Sequence, residues 1–535
     1  MANHRILVTD EIDPEGVALL TAVREFQVDV VPTLPAKELL ERIGDYDAIV
    51  GRSATRISED LLERGKRLKV VGRAGVGVDN VAVDKATQLG IAVINAPAGN
   101  TIAVTELFFG AVIGLLRQIP QAAQSMVEGR WDRSRLMGRE LKGRTLGIVG
   151  VGRIGTEIAR RAHAFGMELV GYDPYISDDR FAALRARRAA DLGDLLAASD
   201  IVTIHTPLTD ETRGMIGASE LAHLKADAIV VNMARGGIVD DAALLEVLRD
   251  NRIRGAVLDV FVAEPLAADH ALRKAPNVVL TPHMGASTYE AQRNVAVDVA
   301  AAVRDALLSG ELSRSLNVAA VSREDWLELQ TSMEVAERAA ALARALLASR
   351  GHREVRRLAL KCGPGAIGGS DLLLASATVG VLSRVVETDR LNLISARALA
   401  ELRGVELSVM ESERLEHPNA VEITLTAGGQ DLTVQGVAAE GAPPRLTRID
   451  GFHVDVHPRK TLIILTNRDV PGVIGRVGTL LGESKINIAS YHQSRLAQGG
   501  DALAAISVDD PVPPEVCSRL LQLPDVRSAT VVTFR

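Results

Sequence analysis

Three polar residues in the middle of the sequence each come shortly after a stretch typical of a buried strand. They are Arg235, Glu264 and His283, and the stretches before them are Ile229–Asn232, Ala256–Val260 and Val278–Thr281. In open α/β sheets, ligands bind at the carboxyl ends of parallel strands. We therefore expect these three side chains to meet in one site.

The three residue types match the needs of an enzyme that oxidises a 2-hydroxy acid. The imidazole of His283 can take the hydroxyl proton while hydride leaves the adjacent carbon. The Glu264 carboxylate can orient that imidazole and stabilise its protonated form. Arg235 offers a planar, permanently charged clamp for the substrate carboxylate. Each residue alone could be a surface arginine, a capping glutamate or a loop histidine, but three successive strand ends favour the catalytic interpretation.

A glycine-rich loop with the spacing GxGxxG runs from Gly150 to Gly155, between a predicted strand, Leu146–Val149, and a predicted helix, Thr156–Phe165. In dinucleotide-binding folds the first glycine permits a tight turn and the second lets the backbone approach the pyrophosphate. The third glycine lets the helix pack on the strand, and the free N–H groups of the helix N-terminus attract an anion. We expect this loop to hold the cofactor's pyrophosphate.

Asp173 ends the next predicted strand, Met167–Tyr172. It comes about 20 residues after the loop, where a dinucleotide-binding fingerprint has its acid. A carboxylate there accepts hydrogen bonds from the adenosine ribose and repels a 2′-phosphate. The following residues, Pro174-Tyr175-Ile176, bring no positive charge. The sequence therefore predicts NAD rather than NADP.

These residues need a framework of alternating strands and helices, and the sequence contains two such runs. The first has strands at Ile6–Thr9, Ala48–Val50, Lys69–Val71 and Ala92–Ile94, and the second begins at Thr145. The alternation predicts parallel, doubly wound sheets, which means an α/β fold with two Rossmann-like lobes and a cleft between them. A length of 535 residues further suggests about three or four domains.

The α/β rhythm stops around Ser313–Val321, and no catalytic constellation appears after it. A long helix is predicted at Arg323–Arg350, followed by mixed elements. From Thr461 to Phe534 the order strand, helix, strand, strand, helix, strand predicts a ferredoxin-like unit.

Composition excludes several classes of protein. The net charge of −7 comes without a Lys/Arg block, which argues against a nucleic-acid partner. The two cysteines, Cys362 and Cys517, have the spacing of neither a metal site nor a disulfide framework. We find no signal sequence and no apolar stretch of membrane-spanning length, so we expect a cytoplasmic protein without a membrane partner and without a metal.

Several segments resemble the D-isomer-specific 2-hydroxyacid dehydrogenases. Before the α/β rhythm stops, they are Gly72–Asn80, Asn232–Gly237 and Thr281–Thr288. In the tail, Ile449–Asp455, Asn467–Gly475 and Ile486–Ala489 resemble the long form of that family, which has an intervening domain and an ACT domain. The resemblance implies a discontinuous substrate-binding domain (1–97 plus 287–316), an NAD-binding domain (98–286), an intervening regulatory domain (321–452) and an ACT domain (459–535).

The resemblance also implies an activity, namely NAD-dependent oxidation of 3-phospho-D-glycerate to 3-phosphohydroxypyruvate in L-serine biosynthesis, by a homotetramer. A carboxylate together with a phosphate requires several guanidinium donors. The matching substrate positions are Arg52, Ser53, Arg73 and Arg235, with Arg133 or Arg135 from the same or a neighbouring subunit. A solvated helix face is an equal alternative for Arg133 and Arg135. Alternatives for the whole protein are a hydroxypyruvate or glyoxylate reductase and an NAD-sensing regulator without turnover.

The family pattern further implies a set of cofactor contacts. They are Val76, Gly150, Gly152, Arg153, Ile154, Gly155, Asp173, Thr206, Ala234, Arg235, Gly236, Asp259, His283, Met284, Gly285 and Ala286. Many relatives have Thr where this chain has Val76, so only its backbone can serve. Met284 replaces the usual Leu, which is a volume-conserving change.

In the last domain, the resemblance implies an effector site for L-serine. Its residues would be Asn467, Asp469, Gly472 and Asn487, the last from a facing subunit. The segment Tyr491-His492-Gln493 departs from the family's Met- and Gly-containing pattern. From the residues alone, an effector site and a dimer interface both stay open.

Overall fold

A computed structural model describes residues 3–319, 321–383, 390–415, 417–438 and 443–534 of the chain. Within these residues the strands form four sheets, which follow one another along the sequence. The first two sheets are parallel throughout and the last two are mixed or antiparallel.

The first sheet has five parallel strands in the order β2-β1-β3-β4-β5. The strands are β1 (His4–Val8), β2 (Phe26–Val30), β3 (Ala48–Gly51), β4 (Val70–Arg73) and β5 (Ala92–Asn95). The helices between them are α1 (Pro14–Thr21), α2 (Ala36–Arg42), α3 (Glu59–Arg64) and α4 (Val83–Gln88). Strand β3, in the middle of the sheet, is buried along its whole length, as a parallel strand covered on both faces must be.

The second sheet has seven parallel strands in the order β12-β11-β10-β9-β6-β7-β8. Before it lie α5 (Thr101–Leu116) and α6 (Ile119–Val127). Its elements are β6 (Thr145–Val149), α7 (Arg153–Ala164), β7 (Glu168–Tyr172), α8 (Asp178–Ala183), β8 (Arg187–Arg188), α9 (Leu192–Ala198), β9 (Ile201–Ile204), α10 (Ala218–Leu221), β10 (Ile229–Asn232), α11 (Asp241–Arg249), β11 (Gly255–Leu258) and β12 (Val278–Leu280). The strand order changes direction at β6, and the glycine loop follows that strand, at the position where open sheets bind ligands.

After β12 the chain returns to the first sheet through α12 (Tyr289–Ser309). The buried face of this helix presents Val299 and Val303 to β4, where a Cβ on Gly72 would lie 2.8 Å from each of them. Ser315 then forms a bridge with Ile94 of β5. The first lobe is therefore made of two separate stretches of chain, with the second lobe inserted between them.

The third sheet has six strands in the order β14-β13-β15-β16-β17-β18. Its elements are α13 (Arg323–Ser349), β13 (Val355–Cys362), α14 (Ser370–Leu382), α15 (Ala396–Glu401), β14 (Glu406–Glu411), β15 (Ala420–Ala427), β16 (Gln430–Val437), β17 (Arg445–Ile449) and β18 (Phe452–Val456). The predicted long helix is present as α13. It packs with α14 on the sheet through small residues such as Ala339 and Ala343.

The fourth sheet has the order β20-β21-β19-β22. Its elements are β19 (Thr461–Arg468), α16 (Val473–Glu483), β20 (Ile488–Arg495), β21 (Asp501–Val508), α17 (Pro514–Leu521) and β22 (Val526–Thr533). The predicted ferredoxin-like unit is thereby confirmed. One face of the sheet packs on α16 and α17, whereas Ile464, Leu503 and Val532 on the other face join the core around α13.

The α/β fold class with two doubly wound lobes, an α+β unit and a ferredoxin-like unit is confirmed. We propose the domain boundaries 1–97 plus 287–316, 98–286, 321–452 and 459–535 on the basis of these sheets.

Both cysteines are unpaired, and burial raises the pKa of the Cys362 thiol to about 11. Among the described residues, no single helix is long and apolar enough to cross a membrane. The bent pair of α5 and α6, at 64° to each other, meets that criterion only when the two are counted together.

Candidate active site

A cleft of about 580 Å³ opens between the first two lobes. Loops after β3 and β4 form one wall, and loops after β10, β11 and β12 form the other. The predicted residues that line it are Arg52, Ser53, Arg73, Val76, Arg235, Gly236, Glu264, His283 and Ala286. All three members of the predicted catalytic trio are thus brought together, as their strand-end positions predicted.

His283 and Glu264 form a direct pair. His283 Nδ1 lies 2.6 Å from Glu264 Oε2, and Glu264 Oε1 accepts a hydrogen bond of 3.0 Å from the Phe261 N–H. The backbone amide thus fixes the carboxylate, and the carboxylate fixes the ring. Since Nδ1 is engaged, Nε2 is the ring nitrogen that can act on a substrate.

Asp259 shapes the loop that carries His283. Its carboxylate is buried and accepts hydrogen bonds from Thr281 Oγ1 (2.6 Å), the Met284 N–H (2.8 Å) and the Gly285 N–H (2.8 Å). These bonds surround His283, whose φ of +50° lies in the left-handed region that few side chains adopt. In this structure Asp259 acts on the loop, and its predicted cofactor contact stays a prediction.

Arg235 reaches from the second lobe toward the first. Its Nε donates to Asp79 Oδ2 at 3.0 Å and its Nη1 donates to the Ala234 carbonyl at 2.7 Å. Asn232, which ends β10, accepts from the Ala234 N–H and donates to the Arg235 carbonyl, and this holds the turn. At Gly236 a Cβ would overlap the Phe261 backbone, so only glycine fits there.

Arg52 and Arg73 supply positive charge from the first lobe. Asp10 accepts from the Arg52 N–H at 2.7 Å, and Asn80 Nδ2 donates to the Arg52 carbonyl at 2.9 Å, so the loop is held from two sides. Burial is the main cause that lowers the pKa of Arg73 to about 10, and the charges of Arg235 and Arg52 add to it. Three guanidinium groups so close together favour an anionic ligand.

The glycine loop has the geometry that the fingerprint predicts. Gly150 has φ +87°, and a Cβ there would lie 2.9 Å from the His205 carbonyl. A Cβ on Gly155 would overlap the Gly150 carbonyl oxygen, whereas a Cβ on Gly152 would meet no atom within 4 Å. The space above Gly152, at the N-terminus of α7, therefore fits a pyrophosphate.

Asp173 Oδ2 accepts from the Val151 N–H at 3.0 Å and Oδ1 accepts from the Tyr175 N–H at 3.0 Å. The carboxylate is thus fixed against the glycine loop. Beside the loop, Thr206 Oγ1 is buried without a hydrogen-bond partner among the described residues, which suits a polar ligand. Arg153 and Ile154 are the first two residues of helix α7.

Some predicted residues lie outside the cleft of their own chain. Arg133 and Arg135 form a short 3-10 helix and are exposed, so the structure does not bring them to Arg235. Met284 and Gly285 turn their N–H groups to Asp259 and do not line the cleft, whereas Ala286 does.

Known proteins match this chain over both its lobes and its tail. The model of the D-isomer specific 2-hydroxyacid dehydrogenase NAD binding domain matches residues 109–285, and that of the ACT domain matches residues 461–525. The D-3-phosphoglycerate dehydrogenase of Methanocaldococcus jannaschii is 38% identical over 532 residues, which are 99% of this chain and 100% of that protein. The D-3-phosphoglycerate dehydrogenase of Synechocystis sp. is 37% identical over an alignment that covers 99% of this chain and 94% of that protein.

This chain belongs to the D-3-phosphoglycerate dehydrogenase family. It is accordingly an NAD-dependent oxidoreductase, as the glycine loop and Asp173 predicted. Among solved structures, a glyoxylate reductase from Paecilomyes thermophila has a TM-score of 0.55 and 30% identity, and covers 59% of this chain and 99% of its own. That structure matches little more than half of the chain, whereas the full-length D-3-phosphoglycerate dehydrogenases extend through the tail.

In this member of the D-3-phosphoglycerate dehydrogenase family, the four predicted effector residues lie at two ends of the fourth sheet. Asn467 is buried, and its Oδ1 has no partner among the described residues. Asp469, in the loop after β19, accepts from Arg495 Nη1 at 3.0 Å, and Gly472 caps α16 with φ +94°. Asn487, just before β20, donates to Asp509 Oδ2 at 2.7 Å at the other end. A site that uses both ends therefore needs a second chain.

Several residues that shape the site were not singled out from the sequence. Asp79 pairs with Arg235 across the cleft, Asp10 and Asn80 hold the Arg52 loop, and Asn232 holds the Arg235 turn. Asp79 and Asn80 lie inside the family segment Gly72–Asn80, and Asp10 and Asn232 lie at strand ends. Position at a strand end was the signal that could have found the latter two.

Proposed function

We propose that this protein oxidises 3-phospho-D-glycerate to 3-phosphohydroxypyruvate, the first step of phosphorylated L-serine biosynthesis. The observation that carries the proposal is the His283–Glu264 pair at 2.6 Å, in a cleft that Arg52, Arg73 and Arg235 also line. A base beside three cations suits a substrate with a hydroxyl group, a carboxylate and a phosphate. The names of the full-length relatives agree with it.

Each residue then has a defined task. Arg235 binds the substrate carboxylate through the outer edge of its guanidinium. His283 Nε2 takes the C2 hydroxyl proton as the C2–H bond breaks, and Glu264 stabilises the imidazolium that results. NAD⁺, which the glycine loop and Asp173 would hold, would supply the acceptor for the hydride that leaves C2. Arg52 and Arg73 bind the phosphate, whose two negative charges offset the repulsion between the guanidinium groups.

We further propose a homotetramer in which Arg133 or Arg135 reaches the phosphate in the cleft of a neighbouring subunit. Both arginines are exposed, and they lie between the exposed apolar side chains of Trp131 and Met137, which are each 79% accessible. An apolar surface of this kind favours a contact with another chain. Mass measurement in solution tests the assembly. The cytoplasmic location expected from the sequence stays a prediction.

A steady-state panel of substrates tests the function. We expect kcat/KM with NAD⁺ to be at least about 100-fold higher for 3-phospho-D-glycerate than for D-glycerate, because charge-assisted hydrogen bonds contribute about 1.5–3 kcal/mol each. Replacing Arg52 with Gln should reduce the value for the phosphorylated substrate more than that for glycerate. Equal values for both substrates in the wild type would favour the hydroxypyruvate or glyoxylate reductase instead. Absence of any turnover with intact NAD binding would favour the regulator.

For the last domain we propose L-serine as the effector, bound between the Asn467–Gly472 loop of one chain and Asn487 of another. The buried, unpartnered Oδ1 of Asn467 supports a polar ligand there. Calorimetry with L-serine should detect binding to the wild type and weaker binding to Asn487→Ala. No heat in either protein would leave the domain as an assembly element.

A further inference from the structure

The Arg235 guanidinium has a charged partner with no part in the reaction described above. Its Nε donates to Asp79 Oδ2 at 3.0 Å, which joins a loop of the second lobe to a loop of the first across the cleft. With the Nη1 bond to Ala234, two of its five N–H groups are used. Among the described residues, the two N–H groups of Nη2 and one of Nη1 have no partner, and these three are left for a carboxylate.

The backbone beside the pair accommodates it. A Cβ on Gly77 would overlap Arg235 Nη2 and would lie 2.7 Å from Asp79 Oδ2, so glycine at this position leaves room for both partners. The Asp79 side chain is 67% exposed and that of Arg235 is 28% exposed. Ion pairs this open to water add little to folding stability. The importance of the pair therefore lies in where it holds the guanidinium.

The charges in the cleft also indicate that Asp79 serves to hold the Arg235 guanidinium in place. Arg52, Arg73 and Arg235 line one cleft, and each repels the others. The negative charge of Asp79 acts in the opposite direction, since it raises the pKa of Arg73 that burial and the other two arginines lower. Asp79 thus makes it less unfavourable for Arg235 to lie close to the other two cations before a substrate arrives.

We propose that Asp79 is a positioning residue, which holds Arg235 across the mouth of the cleft so that its outer edge meets the substrate carboxylate. This inference rests on the proposed function in that the substrate is a 2-hydroxy acid. The pair spans the two lobes, so it also couples the orientation of the clamp to closure of the cleft. Binding energy is then not used to orient a mobile side chain.

The first test is a comparison of variants at position 79. Asp79→Ala should raise KM for 3-phospho-D-glycerate at least about fivefold and leave the dissociation constant of NAD within about twofold, with an unchanged melting temperature. Asp79→Asn keeps an acceptor oxygen and should recover part of the loss. Asp84→Asn, on the exposed surface of α4, is the matched control and should behave as the wild type. An unchanged or lowered KM in Asp79→Ala would overturn the proposal.

The second test asks whether Asp79 acts through Arg235. In an Arg235→Ala background, the further change Asp79→Ala should have almost no effect on kcat/KM, because the interaction is already lost. An equal loss in both backgrounds would show that Asp79 acts elsewhere, and the proposal would fail.

Calorimetry with oxalate in the presence of NAD measures carboxylate binding without turnover. If the wild type fails to oxidise phosphoglycerate, the proposed function fails, while weaker oxalate binding to Asp79→Ala still supports the role of Asp79.

Discussion

His283 is held in a backbone conformation that a histidine adopts rarely. Its φ of +50° carries a conformational penalty of about 1–2 kcal/mol, which the surrounding structure must offset. The buried Asp259 carboxylate does so with its three hydrogen bonds to the flanking residues, and Glu264 fixes the ring. Strain of this kind is characteristic of side chains that must point in one direction.

Replacement of His283 with Ala should lower kcat by about 10²–10⁴-fold, the usual contribution of a general base. The dissociation constant of NAD should change little, because the ring acts on the hydroxyl proton. Glu264→Gln should lower kcat less than His283→Ala does, since an amide can still orient the imidazole ring but cannot stabilise its positive charge. Stopped-flow measurement of NADH formation together with fluorescence titration of NAD checks both variants. Turnover of His283→Ala at the wild-type rate would remove the residue from this role.

His205, beside the glycine loop, gives a prediction about acid stability. Burial lowers its pKa to about 3, and its Nε2 lies 2.8 Å from Thr203 Oγ1. Between pH 6.5 and 3 the folded protein therefore binds fewer protons than the unfolded chain, so stability falls as the pH drops below 6.5. Near pH 5 the free energy of unfolding is lower by about 1–2 kcal/mol for this reason.

Between pH 7 and 5 the melting temperature of His205→Asn should therefore fall less than that of the wild type. His163→Asn, an exposed histidine on α7, is the control and should follow the wild-type curve. Parallel curves for the wild type and His205→Asn would show that the buried ring is not the cause.

Among the elements, the turn from β6 into α7 separates two roles for glycine. A Cβ on Gly152 meets no protein atom within 4 Å, whereas one on Gly155 overlaps the Gly150 carbonyl oxygen. Gly152 therefore leaves space for a ligand, whereas Gly155 leaves space for the backbone of the glycine loop.

Gly152→Ala should weaken NAD binding at least about tenfold with little change in melting temperature, because the added methyl group occupies the position of the pyrophosphate. Gly155→Ala should lower the melting temperature by several degrees, since the helix must move away from the strand. Gly110→Ala, where a Cβ also meets no atom within 4 Å, is the control for helix effects. Thermal shift and NAD titration of the three variants check this. Wild-type NAD affinity in Gly152→Ala would contradict the assignment.

Elements with strong local patterns were predictable, and those defined by distant contacts were not. The buried strands β3 and β10 contain the continuous apolar runs Ala48–Val50 and Ile229–Val231, so the sequence alone predicts these two strands. Strand β2 was not predicted because Gln27 and Asp29 break the continuous apolar run expected of a buried parallel strand, and its alternation is that of a half-buried strand at the edge of the sheet. The two-residue strand β8, Arg187–Arg188, has no apolar residue at all.

The same distinction applies to the site. Arg235, Glu264 and His283 were predictable because each follows its own strand. The Asp79–Arg235 pair joins residues 156 positions apart, and no local pattern encodes it. The placement of Asn467 and Asn487 at opposite ends of one sheet depends on the order of the strands, which the linear sequence does not display.

For the whole molecule, 99% of the solved glyoxylate reductase chain is matched by 59% of this chain, which is about the length of the two lobes that contain the cleft. The tail nevertheless contacts the first lobe. Ile394 is buried in the core of that lobe, and Asn392 Nδ2 donates to the Gly90 carbonyl at 2.7 Å.

A chain ending at Ala319 should therefore fold and retain kcat within about tenfold, with a lower melting temperature. Loss of the Ile394 contact removes about 1.5–3 kcal/mol of apolar burial. Ile394→Ala in the full-length chain should reproduce part of this loss and serves as the control. Activity assays and calorimetry of the two proteins check the outcome, and a loss of turnover beyond about 100-fold would show that the tail is needed for catalysis.

The two crossings between the lobes lie side by side. A Cβ on Gly99, in the first crossing, would be 2.5 Å from Val295 of α12, and one on Gly285, in the second, would be 3.2 Å from Val104 of α5. Because two adjacent segments of chain join the lobes, we expect them to allow rotation about the line through both crossings and to resist sliding or twisting. We therefore expect the cleft to open by a change in one angle. One distance, such as that between labels on the loops of Asp79 and Arg235, is enough to follow it.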